Sequence, residues 1–199
     1  MNREELQEQL GRGESSFPKA DLHGQDLSGL VLNQCDFRWA DLAGANLQET
    51  SFVGANLWEA DLYAVSAVEA NFNEANLRAV NLCESKIMRA FFHGTDLNRA
   101  KLCEADASKA DFSSANLSWA KVCETRLIEA CLVDTDFRHA NLQECNMQGA
   151  DLRGARFSGA RLYEANLGSA KNLEKAFFRG ALFHRTCGLK FWQEWVLKL

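Results

Sequence analysis

Residues 54–62 read GANLWEADL. Two apolar centres, Leu57 and Leu62, lie five residues apart, each preceded by Asn or Asp and, one residue further back, by Ala. The same order runs in both directions from this stretch. From Phe17 to Leu167 it is written thirty-one times without an insertion or deletion, with an apolar residue at every fifth position. The last two places of each unit vary. A repeat this strict decides the architecture before any single residue is weighed.

Neither regular element accepts a period of five. On an α-helix, five residues advance the apolar position well past one turn, so the centres spiral and define no face. On a straight strand, the side chain flips to the opposite face at every fifth residue. A short extended run followed by a corner in each unit brings every centre inward again. A second period sets the number of corners per lap. Phe52, Phe72, Phe92 and Phe112 lie twenty apart, as do Cys83, Cys103 and Cys123, and Glu84, Glu104, Glu124, Glu144 and Glu164. Four units per lap make each of these sets a vertical column. The expected fold is an all-β solenoid of square coils stacked at about 4.8 Å, the strand spacing within a sheet. One buried centre per five residues does not offset the ordering of five residues. Contacts and hydrogen bonds between neighbouring coils must supply the rest.

The tandem Ala-Asp/Asn-Leu/Phe unit, seen in GANLWEADL, in SSANLSWA (113–120) and in GADLRGARFSGA (149–160), closely resembles the pentapeptide repeat family. The resemblance covers most of the chain. It implies a right-handed quadrilateral β-helix of about eight coils, with the handedness taken from the family. The expected organisation is a helical N-terminal cap over 1–14, the β-helix over 15–184, and a C-terminal helical cap over 185–199.

With 199 residues and a net charge of −5, the chain suits one domain and disfavours nonspecific nucleic-acid binding through a basic field. The stretch from Met1 to Gly13 is polar and charged, so no signal peptide is expected, and no apolar run reaches membrane-spanning length. Seven cysteines follow no secreted-scaffold spacing. Cys35 and Cys145 fall at the small inward position, where a thiol serves as a compact hydrophobe. The expected compartment is the cytoplasm. The outward column Cys83, Cys103, Cys123 is expected to hold three free thiols. Three sulfurs in a line cannot surround one ion tetrahedrally, and stacked Cβ atoms at the coil spacing stand too far apart for a disulfide.

Both ends depart from the repeat. REELQEQL (3–10) favours helix, and Leu6 and Leu10 are placed to cover the first coil. After Leu167 the register slips by one residue, to Leu173, Phe178 and Phe183, which reads as a bulge. In GLKFWQEWVLKL (188–199), Leu189, Trp192, Val196 and Leu199 are expected to line one face of a short helix that Phe191 and Trp195 broaden. This is the candidate C-terminal cap. It is also the candidate dimer contact, because members of the family's fluoroquinolone-resistance branch pair through their C-terminal ends.

The walls differ in chemistry. The wall centred on Leu22, Leu42 and Leu62 carries the glutamate column, a candidate acidic strip, with Lys86, Lys101, Lys121 and Arg126 placed to relieve it. The wall centred on Phe17, Phe37 and Leu57 carries Arg38, Trp58 and Arg78 in one column, expected to stack as cation–π partners. Arg138 belongs to the same column, and Trp39, Arg99, Trp119 and His139 occupy the next. Outward Trp and Arg dominate binding hot spots, which makes this the candidate protein-contact face. Ala67 and Ala107 are undersized centres where the packing must adjust.

Catalysis is not expected. His23, His93, His139 and His184 are scattered, and none has a repeat-defined neighbour to make a nucleophile–base pair. The recurring Asp residues read as corner carboxylates that bond the backbone. No metal or cofactor site is expected, and no glycine-rich phosphate loop is present. The expected function is a non-catalytic interaction module for a protein partner, without direct nucleic-acid or membrane binding. The alternative, implied by the family's fluoroquinolone-resistance branch, is a DNA mimic acting on a type II topoisomerase.

Overall fold

The computed structural model describes residues 1–189. The chain begins with helix α1 (Arg3–Gly11) and then winds into stacked coils. Each coil touches the next at parallel bridges between residues twenty apart, such as Asp21 with Asp41 and Asp41 with Asp61. Four such bridges complete each lap, one per quintet. Extended contact is confined to these single points, because a turn follows every one.

One quintet shows why five residues suffice. Asp41 donates its N–H back to Ala20 O (2.9 Å), and Leu42 donates forward to Asp61 O (2.8 Å). Ala43 N–H goes to the Asp41 side chain (2.9 Å). Gly44 donates forward to Tyr63 O (2.8 Å), and Ala45 closes the turn onto Leu42 O (3.0 Å). All five backbone donors are used, three between coils, one in the turn and one on the Asx side chain. The turn places positive φ at its third residue, as type II geometry requires. Gly44 has φ 67°, but Glu84 adopts 58° and Trp119 63° at the same place. The inter-coil ladder holds even bulky residues in this conformation.

Two of the units without Asp or Asn recover the acceptor from the coil before. Ser51 and Phe91 stand where most units have Asp or Asn. There the side-chain oxygens of Asn33 and Asn73, one coil earlier, accept from Val53 (2.9 Å) and His93 (2.8 Å).

The core is a narrow column of ladders. Phe52, Phe72, Phe92 and Phe112 stack with centroids 5.2, 5.1 and 4.7 Å apart and planes within 7°. Phe137, Phe157 and Phe178 continue the motif in a second stack. Ala67 and Ala107 remain fully buried, as does Ile87 between them in the column. Buried hydroxyls are satisfied. Thr50, Thr95, Thr125 and Thr135 donate to the carbonyls of Leu27, Phe72, Leu102 and Phe112 at 2.7–2.9 Å. Cys145 makes the equivalent contact to Val122 O, and burial pushes its thiol up to about 12.

Helix α1 completes the first coil. Asn2 and Glu5 form a capping box, and Leu6 is fully buried in the core. The Asp21, Asp26 and Ser28 carbonyls have no coil before them. The Met1 ammonium bonds Asp21 O (2.9 Å), and the Arg3 guanidinium bonds Asp26 O (2.8 Å) and Ser28 O (3.1 Å). Charged donors thus replace the ladder N–H groups that other coils supply.

Two expectations are corrected. The register slip is a 3-10 turn, Leu173–Lys175, entered through Asn172 at φ 55°, not a bulge. It absorbs one residue, so later bridges join residues 21 apart, as Arg156 with Phe177. Further, Cys103 and Cys123 form a disulfide, with Cα atoms 4.7 Å apart, and only Cys83 of that column is a free thiol. The coil spacing lies within the Cα range of disulfides, so stacking in register does not exclude the bond. Of the candidate C-terminal residues, Leu189 is buried. Trp192, Trp195, Val196 and Leu199 lie outside the described residues.

The donor accounting makes a prediction. Asp41→Ala leaves the largely buried Ala43 N–H without an acceptor and should destabilise the fold by about 1–3 kcal/mol in urea unfolding. Asp41→Asn keeps the acceptor and should unfold close to wild type.

Candidate functional site

The repeat places each surface column by position alone. The two residues after each centre form the turn, so their side chains stand outside the coil. Trp39, Trp119 and the five column glutamates all occupy its positive-φ place.

On the Trp/Arg wall the structure builds two clusters. In the first, Arg38 forks onto Asp36 through Nε (2.9 and 3.0 Å) and Nη2 (2.7 Å). The Arg38 guanidinium holds the Asp36 carboxyl below its ordinary value of 3.8. Arg38 lies over the Trp39 ring at 5.3 Å, and Lys19 lies over it at 5.8 Å. Trp39 packs against Trp58 (5.0 Å) and donates Nε1–H to Glu59 (3.1 Å). In the second cluster, Trp119 stacks on His139 at 4.4 Å, with 58% of its surface exposed. Beside it Arg138 forks onto Asp136, at 2.6–2.9 Å. Burial alone would raise the Asp136 carboxyl, but Arg138 outweighs it and holds the group below 3.8. Trp39 and Trp119 are four coils apart, or ~19 Å at the sheet spacing.

The expected Arg38–Trp58–Arg78 stack does not form. Asp36 turns Arg38 toward Trp39, and Arg78 reaches across one coil to Asp96 (3.4 Å). A carboxylate on the same or the next coil outcompetes a ring face. Arg99 is exposed and has no carboxylate within 4.0 Å among the described residues.

Glu84, Glu104, Glu124, Glu144 and Glu164 are all exposed in one column. The expected relief by Lys86, Lys101, Lys121 and Arg126 is corrected. Arg126 pairs with Asp106 (3.5 Å), while Glu164 is met by Arg185 (3.4 Å) and Glu144 by Gln143 (3.2 Å). Among the described residues, none of these four basic side chains, Lys86, Lys101, Lys121 and Arg126, lies within 4.0 Å of a column glutamate. Sequence reasoning missed Val31, Phe91, Phe177 and Leu182, all exposed apolar side chains. The available signal was an apolar residue in the Asp/Asn place. No group of three or more metal-ligating side chains occurs among the described residues.

The family model described as pentapeptide repeats matches in overlapping copies over 14–127 and again over 130–168. The chain belongs to the pentapeptide repeat family. Among solved structures, trypsin-treated QnrB1, a plasmid-mediated fluoroquinolone resistance protein, aligns with TM-score 0.63 at 18% identity, over 85% of this chain and 89% of its own. Full-length QnrB1 aligns with TM-score 0.57 at 19% identity, over 92% and 95%. HetL, involved in heterocyst differentiation regulation in the cyanobacterium Nostoc sp. strain PCC 7120, aligns with TM-score 0.48 at 26% identity, over 94% of each chain. The likeness to QnrB1 is one of fold. No curated protein matches the chain in sequence.

The two forked aspartates set a pH prediction. Their folded pKa values lie below the unfolded value, so the stability they add is present above pH 4 and is lost as pH falls through the folded values. The urea midpoint of the wild type should drop between pH 5 and pH 2.5. The Asp36→Asn, Asp136→Asn double variant keeps the Asx bonds and should show a shallower drop.

Proposed function

We propose that this chain is a non-catalytic protein-interaction module, a right-handed quadrilateral β-helix over 15–184 between caps at 1–14 and 185–199. Its working face is the wall of Arg38, Trp39, Trp58, Arg78, Arg99, Trp119 and Arg138. The observation that carries this reading is Trp119, a large ring more than half exposed and held flat against His139. A pre-ordered aromatic side chain loses little entropy on binding, which suits an anchor for a protein partner. The Arg38–Trp39–Trp58 cluster offers a second anchor on the same wall. We place the protein in the cytoplasm. Five of its cysteines are free thiols, which suits a reducing compartment, whereas the Cys103–Cys123 disulfide does not.

A second reading, a DNA mimic acting on a type II topoisomerase, draws on the exposed glutamate column. QnrB1, a fluoroquinolone resistance protein, shares the fold. Lys101, Lys121 and Arg161 on the other edge of the same wall weaken the negative field that mimicry needs. A dimer through the C-terminal cap belongs to either reading.

Affinity capture with the tagged protein tests the first reading: Trp58→Ala with Trp119→Ala should lose the partners that the wild type retains. Unchanged capture by the double variant would remove this wall from consideration. A gyrase supercoiling assay, with and without quinolone, separates the second. The module reading expects neither inhibition nor protection at micromolar protein, and either effect would favour mimicry.

A further inference from the structure

One corner of the solenoid reverses its charge along its length. Its bridge ladder begins with Asp21, Asp41 and Asp61 and later carries Lys101, Lys121 and Arg161. All six are exposed. The column just before the corner carries Arg99 and Trp119 beside the basic half. Arg38, Arg78, Arg89 and Arg138 each have a carboxylate partner at 2.6–3.4 Å. Among the described residues, no carboxylate lies within 4.0 Å of Arg99, Lys101, Lys121 or Arg161.

Lys101 bridges directly to Lys121, so two ammonium-bearing residues are stacked in register. Like charges placed this way repel, and among the described residues no carboxylate within 4.0 Å relieves them. The wall that carries Trp119 continues the same character toward the last coil. There Arg156, Ser158, Phe177 and Arg179 line a shallow depression of about 390 Å3, with Phe177 mostly exposed.

We propose that this corner docks an acidic, extended segment of a partner protein. Its carboxylates lie along Lys101, Lys121 and Arg161, and an apolar side chain packs on Trp119. The proposal rests on the interaction-module reading and adds the chemistry of the partner. The acidic half of the corner repels such a segment and sets where it lies. A nucleic acid fits less well. The exposed glutamates at 104, 124 and 164 follow Lys101, Lys121 and Arg161 by three residues on the same wall, so the positive strip is narrow. A continuous phosphate backbone needs a broader positive field than this strip provides.

The probe is a fluorescein-labelled poly-glutamate peptide carrying one leucine, followed by fluorescence anisotropy with the full chain. The wild type should bind at low salt and release the peptide as sodium chloride rises to about 0.5 M, where screening is short-ranged. Lys101→Glu with Lys121→Glu should weaken binding at least about tenfold, since reversing steering charges opposes encounter as well as contact. Lys101→Gln with Lys121→Gln, with urea unfolding as the check on folding, should weaken it less but in the same direction. No binding at low salt overturns the proposal, as does affinity unchanged by either pair of substitutions. So does a single-stranded oligonucleotide that binds more tightly than the peptide. If Trp58→Ala with Trp119→Ala abolishes partner capture while the peptide fails to bind, the module reading stands and the acidic-segment inference falls.

Discussion

The solenoid depends on backbone N–H groups that reach the carbonyls of adjacent coils, with one more closing each turn. Three donors reach adjacent coils, one closes the turn, and one is taken by the Asp or Asn side chain, as in the quintet from Asp41 to Ala45. Remove the side-chain acceptor and the corner carries an orphan donor next to a buried alanine. Where Asp or Asn precedes a centre, its side chain supplies an acceptor to the N–H two residues on. At Ser51 and Phe91, Asn33 and Asn73 supply the oxygen from the coil before.

Because three of the five positions satisfy the backbone and fill the core, the other two are released to the surface. They stand in columns at one strand spacing, so a residue type repeated every twenty positions becomes a line of chemistry. The glutamate column and the Trp/Arg wall are both products of this arrangement. It also imposes left-handed backbone on Trp39 and Trp119, a conformation that disfavours bulky side chains. The inter-coil bonds hold it, and the tryptophans gain a fixed outward position.

The ends show the same constraint from its open side. Where the first coil lacks a predecessor, the ammonium of Met1 and the guanidinium of Arg3 bond the carbonyls that would otherwise face solvent. Where the repeat gains one residue, a single 3-10 turn absorbs it and the ladder resumes one residue out of step. The solenoid tolerates the slip because each coil needs only its neighbour.

The sequence by itself determined the repeat length, the four units per lap, the inward ladder and the membership of each outward column. Periodicity is a one-dimensional property, and Phe52, Phe72 and Phe92 declare it without reference to anything distant in the chain. It also placed the Trp/Arg wall and the glutamate strip, since a column is a remainder after division by twenty. Only the tertiary structure decided what neighbours within and between columns do. Arg38 turns to Asp36 and Trp39 rather than Trp58. Arg126 goes to Asp106 rather than to the glutamates. Cys103 bonds Cys123 while Cys83 stays free. Each outcome turns on a side-chain direction and on a choice among partners at similar distance. A repeat specifies where a side chain starts, and the packing around it specifies where it points.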